Sequence, residues 1–410
     1  MGATKETHAS YLFVLAFSRV STLEIARYLE DMKEGFQLLG ESNTVAAIST
    51  SIHRQWKWMT KLGGCYKIGR VFCNVPPSRQ RTEYLVDCFR HVPLGDYAKT
   101  KLRWALSIYP TPGMDVQNLR DHLERELMKE IEDAGITRAK KMHLSTGEKE
   151  EIEAKRIDKR IFEVLFACLS TGWFAAKTIE VMDLEGYRYR DLQRPEGDSS
   201  ISMPPRLART LVNLAGAGTG KVLLDPFCGT GTILQEGLLV GSSVKGVDTN
   251  SLRVRQARKN LRWLQDCVRM PQPGQRQEVL RGDALQIDRI FEQESIDAIA
   301  SEPLLIPPLK GAPSRFAAEK WLADSRRTYA RATMAMTSLL RRGGRIALVV
   351  PVIPTLDGHR LALNLDQVIA DCHLVPYQPR DGQLRVRYPL EIEGLSRRRL
   401  GRALYLLQKL

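Results

Sequence analysis

Residues 222–232 read Val222-Leu223-Leu224-Asp225-Pro226-Phe227-Cys228-Gly229-Thr230-Gly231-Thr232, and the reading of this stretch decides the fold. Val222, Leu223 and Leu224 form a short apolar run of the kind that makes a fully buried parallel strand. Asp225 ends the run. Gly229 and Gly231 predict a tight loop, and from Thr232 onward Ile233-Leu234-Gln235-Glu236-Gly237-Leu238-Leu239 reads as a helix. A strand, a glycine turn and a helix N-terminus together let backbone approach a ligand closely. A lone G-x-G also occurs in ordinary strand-to-helix turns, so the neighbouring segments have to decide.

A second strand, Ser243-Val244-Lys245-Gly246-Val247-Asp248, ends in an acid about twenty residues on, where a doubly wound fold puts the carboxylate that holds ribose hydroxyls. A third unit, Val279 to Ala284, carries Asp283 at its end. A fourth, Ile296-Asp297-Ala298-Ile299-Ala300-Ser301, runs into Glu302-Pro303. Four strand ends with polar residues at the carboxyl edge predict one crevice. Nicotinamide and flavin enzymes want G-x-G-x-x-G, and Leu234 stands where the third glycine belongs. The succession resembles the class I S-adenosylmethionine-dependent methyltransferases. That resemblance implies an α/β chain with a C-terminal Rossmann-like class I methyltransferase domain and S-adenosyl-L-methionine as cofactor.

At 410 residues the chain has room for two or three domains, and 43% hydrophobic residues support real cores. No apolar stretch reaches the length of a membrane span, and Tyr11 to Phe17 reads as a first strand. Seven scattered cysteines without C-x-x-C spacing predict neither a disulfide framework nor a metal site, and point to a reducing, cytoplasmic setting. Cys228 reads as packing within the loop and not as a nucleophile. The formal charge of +14 favours a polyanionic partner over a membrane surface, for which no basic amphipathic anchor stands out.

The first 185 residues read as an α+β region. Strands are expected at 11–17, 44–49, from Tyr66, and at 102–109, 161–169 and 173–181. Ser21-Thr22-Leu23-Glu24 and Ser145-Thr146-Gly147-Glu148 look like capping boxes, and helices are expected over Arg54–Lys61 and Leu119–Ala134. Residues 186–203 change composition and read as a linker. The domain from 204 to 410 opens with a helix whose first turn holds Pro205. A long helix over 317–340, capped by Gly343-Gly344, leads to a strand at 345–350 and a helix over 361–370. Strands at 373–377 and 402–407 would close the sheet as an antiparallel pair.

In this order the chain resembles the THUMP-containing tRNA guanosine N2-methyltransferases, the kind that methylates guanosine at position ten of tRNA. The resemblance rests on Leu62-Gly63-Gly64 with Tyr66-Lys67-Ile68 and on Arg190-Asp191 with Arg194-Pro195. It rests also on Pro205-x-Leu207-Ala208-Arg209 with Asn213-Leu214, and on Asp225 to Thr232. It implies an N-terminal THUMP-type RNA-binding domain and tRNA as partner, with no metal and no membrane. It leaves open a monomer or a small activator protein. The implied cofactor set is Pro205, Asp225, Phe227, Cys228, Gly229, Thr230, Gly231, Thr232, Asp248, Asp283, Ala284 and Ser301. Within it Asp248 would take the ribose hydroxyls, Asp283 the adenine amino group, and the 225–232 loop the methionine moiety.

The catalytic motif departs from the family. Amino-group methyltransferases carry Asp or Asn, two prolines, then Tyr or Phe at the fourth strand end. Here Glu302 replaces the acid or amide, Pro303 matches, Leu304 replaces the second proline and Leu305 the aromatic. The candidate catalytic residues are Glu302, Pro303 and Leu305. An exocyclic guanine amine is a poor nucleophile because its lone pair is delocalised. A carboxylate with a nearby backbone carbonyl can accept both N–H hydrogens and localise that pair. The altered motif keeps two other readings open: a non-catalytic or partner-dependent RNA-binding protein that kept the fold, and a methyltransferase acting on adenine or cytosine amines.

Overall fold

The computed structural model describes residues 9–51, 61–77, 88–95, 101–142, 161–197, 203–268, 270–271, 273–303, 305–306, 309, 311–380, 382, 384–393 and 400–410. The expected helix from Arg54, the capping box at Ser145 and Leu304 lie outside these. The chain divides into two units: Met1–Thr22, Met32–Thr60 and Cys65–Glu185 form the first, and Leu23–Asp31, Lys61–Gly64 and Gly186–Leu410 the second. The sequence alone places all of 1–185 in the N-terminal region.

The first unit is built on strands β1 (Ala9–Leu15), β2 (Phe36–Glu41), β3 (Val45–Thr50), β4 (Cys65–Val75), β5 (Leu102–Tyr109), β6 (Ala139–Lys141), β7 (Ile161–Leu169) and β8 (Gly172–Val181). Their order is β2-β3-β1-β4-β8-β7-β5-β6. Helix α1 (Arg19–Asp31) starts in this unit. Helix α2 (Val116–Asp133) buries Leu119, Leu123, Leu127 and Ile131, one residue per turn, in a core with Trp104, Leu106, Ile108, Phe162 and Phe166. Asp115 caps it by accepting from Gln117 N and Asn118 N. Along β7, which is buried throughout, Glu163 is the one charged side chain. It accepts from Lys67 Nζ (2.8 Å), Ser107 Oγ (2.5 Å) and Thr178 Oγ1 (2.6 Å), and these donors are what let a carboxylate sit in the core.

Two expectations fail here. Ser21 is no helix cap: α1 already begins at Arg19, and Ser21 Oγ accepts from Phe17 N at 2.9 Å. Cys73 and Cys88 form a disulfide with Cα atoms 5.4 Å apart, because β4 brings Cys73 to the core that holds Cys88.

The second unit adds α3 (Leu184–Leu192), α4 (Pro205–Ala215), β9 (Val222–Asp225), α5 (Thr232–Leu239), β10 (Ser243–Asp248), α6 (Ser251–Cys267), β11 (Gln277–Arg281), β12 (Ile296–Ser301), α7 (Arg315–Leu339), β13 (Leu340–Pro354), β14 (Arg360–Ala362), α8 (Asp366–Asp371), β15 (Leu374–Pro376), β16 (Leu390–Glu391) and β17 (Gly401–Lys409). The sheet runs β11-β10-β9-β12-β13-β17-β15, with the first five strands parallel and β17 antiparallel to both neighbours. The strand order reverses between β9 and β12, so the crevice opens at their carboxyl ends. No helix among the described residues is long and apolar enough to cross a membrane.

Part of the expected linker is folded: α3 covers its first half. Gly343-Gly344 caps nothing. The chain leaves α7 directly into β13, and Gly343 takes φ 75° inside that strand. The expected helix at 361–370 is split into β14 and the short α8.

Candidate active site

A cavity of about 420 Å³ lies at the switch point. Its wall takes Asp225, Phe227, Cys228, Gly229, Thr230 and Thr232 from the loop after β9 and Asp248 from the end of β10. Asp283 and Ala284 follow β11, and Glu302 and Leu305 follow β12. The loop holds its shape through its glycines. Gly231 sits at φ 87° as the N-cap of α5, and a Cβ there would stand 3.2 Å from Ala257 Cβ. It serves helix packing and does not line the cavity. Gly229, at φ 53°, has nothing within 4 Å of an added Cβ, so the space before it is open.

Asp248 does two things at its strand end. Its Oδ2 accepts from Gly229 N at 3.1 Å and its Oδ1 from Asn250 N at 2.8 Å, which ties the loop to β10. Asp283 Oδ1 accepts from Leu285 N at 2.9 Å and so caps the 3-10 turn Ala284–Arg289. Asp225 is almost fully buried. Burial pushes its carboxyl up to about 7, against the pull of bonds from Ser301 and Phe227, while Asp248 and Glu302 add to the rise. Ser301 Oγ reaches Asp225 Oδ1 at 2.6 Å and so ties β12 to β9. Burial also holds the Cys228 thiol well above its ordinary range, as suits packing against Gly246.

The altered motif has partners from outside itself. Arg402, on β17, grips Glu302 with both arms of a fork: Nε to Oε1, and Nη2 to Oε2 at 3.2 Å. Both side chains are under 10% exposed, at 7% and 9%. The Pro303 carbonyl accepts from Tyr329 OH at 2.8 Å. Leu305 contributes an apolar surface to the cavity wall.

Four of the residues expected at the site stand off the main cavity. Pro205 is buried in the first turn of α4, Gly231 packs on α6, Ser301 lies behind Asp225, and Pro303 lines a small neighbouring cavity. The reading missed Met203, Ile233, Thr249, Arg253, Gly282, Leu285 and Thr328 in the wall. It also missed Tyr329 and Arg402. Arg402 stands 100 residues from Glu302 in the chain, and no local pattern could have shown the pairing.

Of the remaining motif pieces, Tyr66-Lys67-Ile68 lie on β4 of the first unit, and the others meet elsewhere in the second unit. Glu24 accepts from Gly63 N and Gly64 N at 2.8 Å each, from Asn213 Nδ2 at 2.6 Å and from Thr210 Oγ1 at 3.2 Å. Gly63 has no room for a side chain, since a Cβ would come within 2.4 Å of Arg206 O. Arg190 and Arg209 both bind Glu236 of α5, at 2.8 and 2.7 Å. Arg194 donates to Thr232 Oγ1 at 2.9 Å. These residues brace the helices behind the glycine loop.

Residues 193–303 match the family of RMKL-like methyltransferase domains. A tRNA (guanine(10)-N2)-dimethyltransferase of Methanothermobacter thermautotrophicus is 36% identical over 154 residues, which make 37% of this chain and 39% of that one. Its namesake in Pyrococcus abyssi is 34% identical over 129 residues, 30% of this chain and 36% of the other. The chain therefore spans under two-fifths of the length of these curated relatives. TrmN from Thermus thermophilus superposes on 98% of this chain and 100% of its own, with a TM-score of 0.51 at 16% identity, a likeness of fold. Over residues 193–303, which hold the glycine loop, Asp248, Asp283 and Glu302, the chain is similar to RMKL-like methyltransferase domains, and the architecture that carries them is the Rossmann-like methyltransferase fold.

Proposed function

We propose that this protein transfers a methyl group from S-adenosylmethionine to the exocyclic N2 amine of a guanosine in tRNA, acting in the cytoplasm. The observation that carries the reading is the Glu302 carboxylate, which stands in the cavity wall at the end of β12. A carboxylate there suits an amine that enters the cavity with N–H hydrogens to donate.

The cavity fits the cofactor. Asp248 and Asp283 line it from successive strand ends, and the space before Gly229 is open. Asp248 would hold the ribose hydroxyls, Asp283 with Ala284 the adenine, and the 225–230 loop the methionine part. The bound cofactor supplies a methyl group on a sulfonium, which is a good leaving group. The chain's own residues then have to orient and polarise the amine. Glu302 accepts an amine hydrogen, which helps localise the nitrogen lone pair. Leu305 offers apolar contact to a base taken out of its stack.

The names of the two curated relatives support tRNA and guanine N2 as substrate and target, and the charge of +14 supports a polyanion. The test is single-turnover methylation of tRNA at saturating cofactor, with mass spectrometry of the product nucleosides. The expected product is N2-methylated guanosine. Glu302→Ala should nearly abolish transfer while cofactor affinity stays within a few fold. Absence of methyl transfer by the wild-type protein would refute the reading and leave RNA binding without catalysis. Methylated adenine or cytosine in place of guanine would move the target.

A further inference from the structure

We infer that Arg402 is the positioning residue of the methyl-transfer site and acts through Glu302; this rests on the function proposed above. Glutamate has one more side-chain torsion than the aspartate or asparagine of the related motif, so a free Glu302 would spread over several rotamers. The second proline and the aromatic of that motif are absent, which removes two local constraints on the segment. Arg402 supplies the constraint from a distance. A guanidinium fork fixes the plane of a carboxylate as well as its position.

The placement suits that task. Glu302 lines both the main cavity and the small one beside it, whereas Arg402 lines only the small one. Each carboxylate oxygen accepts one Arg402 N–H and retains lone-pair capacity for a second donor. Arg402 itself is held by the sheet, with Arg402 opposite Pro351 in a continuous antiparallel register between β17 and β13. Tyr329 fixes the Pro303 carbonyl in the same way from α7. Each acceptor of the motif is thus anchored by a donor from a different element.

The experiment is single-turnover methylation of tRNA by the full-length protein at saturating cofactor, with cofactor affinity measured on the same preparations. Arg402→Met should slow the chemical step about 10²-fold, as loss of near-attack geometry does, with cofactor affinity unchanged. Arg402→Lys keeps a charge and loses the fork, so its rate should fall between the two. The double variant Glu302→Ala with Arg402→Met should be no slower than Glu302→Ala alone, because the effect of Arg402 passes through that side chain. A merely structural arginine would instead give additive losses. Wild-type rates in Arg402→Met, or additive losses in the double variant, would overturn the inference and leave the proposed function standing. If Arg402→Met does not fold, Arg402→Lys carries the test, and a wild-type rate there overturns the inference. No transfer by the wild-type protein overturns both.

Discussion

Glu24 accepts a hydrogen bond from Gly63 N at 2.8 Å, and this bond joins the two short N-terminal segments that belong to the second unit, Leu23–Asp31 and Lys61–Gly64. The carboxylate is fully buried, and burial raises its pKa despite donors from Gly63, Asn213, Gly64 and Thr210. Glu24→Ala removes the acceptor for four donors at once. It should destabilise the second unit by roughly 2–4 kcal/mol, since stranded buried donors cost more than the bonds themselves contribute. Thermal or denaturant unfolding checks this, and a loss below about 0.5 kcal/mol would mean water replaces the carboxylate. Cutting the chain at 185 separates Glu24 from Thr210 and Asn213, so a fragment 1–185 should be less protected from proteolysis around Leu62 than the full chain.

Glu236 is the counter-charge for Arg209, which is buried, and for Arg190. Glu236→Gln leaves two guanidiniums without a full negative charge between them. The expected cost is roughly 3–5 kcal/mol, the range for breaking a buried pair from one side. Replacing Arg209 by Met alongside Glu236→Gln should restore part of the loss. A double variant as unstable as the sum of its parts would contradict the pairing.

Asp225 gives a pH dependence whose sign follows from its raised pKa. Its folded value, about 7, lies above the ordinary 3.8, so between the two the folded protein keeps a proton that the unfolded chain has released. Stability from this group is therefore full below about 4 and is lost as pH rises towards 7. Asp225→Asn removes the buried charge and should flatten that decline. Its melting temperature relative to wild type should rise from pH 4.5 to pH 8, by an amount equivalent to roughly 3–5 kcal/mol at most. A difference that does not change with pH would show that water reaches Asp225.

Asp248 joins the cavity wall to the glycine loop, because one carboxylate faces both Gly229 N and the cavity. Asp248→Ala should weaken S-adenosylmethionine binding by roughly 1.5–3 kcal/mol, through loss of a charged acceptor. Asp248→Asn keeps one acceptor for Gly229 N and should lose less. Titration calorimetry measures both, and unchanged affinity in the alanine variant would place the ribose elsewhere.

Much of the second unit was legible because buried parallel strands must be apolar along their whole length. The run at 222–224 meets that rule outright, whereas 243–248 and 296–301 mix apolar and polar residues and were read from their place after the glycine loop and from the polar ends that mark the crevice. The loop at Gly229 and Gly231 was legible for a similar reason, since few residues accept positive φ. Other elements were misread where a local pattern met a distant partner. Ser21-x-x-Glu24 has the spacing of a capping box, yet Glu24 serves Gly63, Gly64, Thr210 and Asn213. The charged stretch around Arg190 looked like linker because Glu236, its counter-charge, lies 46 residues on.

By itself the sequence determined the strand, glycine loop and helix at 222–239, the acids at the strand ends and the anomaly at 301–305, because these depend on neighbours a few positions apart. Only the tertiary structure decided what Glu302 pairs with, because β17, inserted antiparallel beside β13, puts Arg402 against it. Burial makes such pairings strict, since a charge removed from water needs its partner at hydrogen-bond distance. Folding finds that partner in space and leaves no trace of it along the chain.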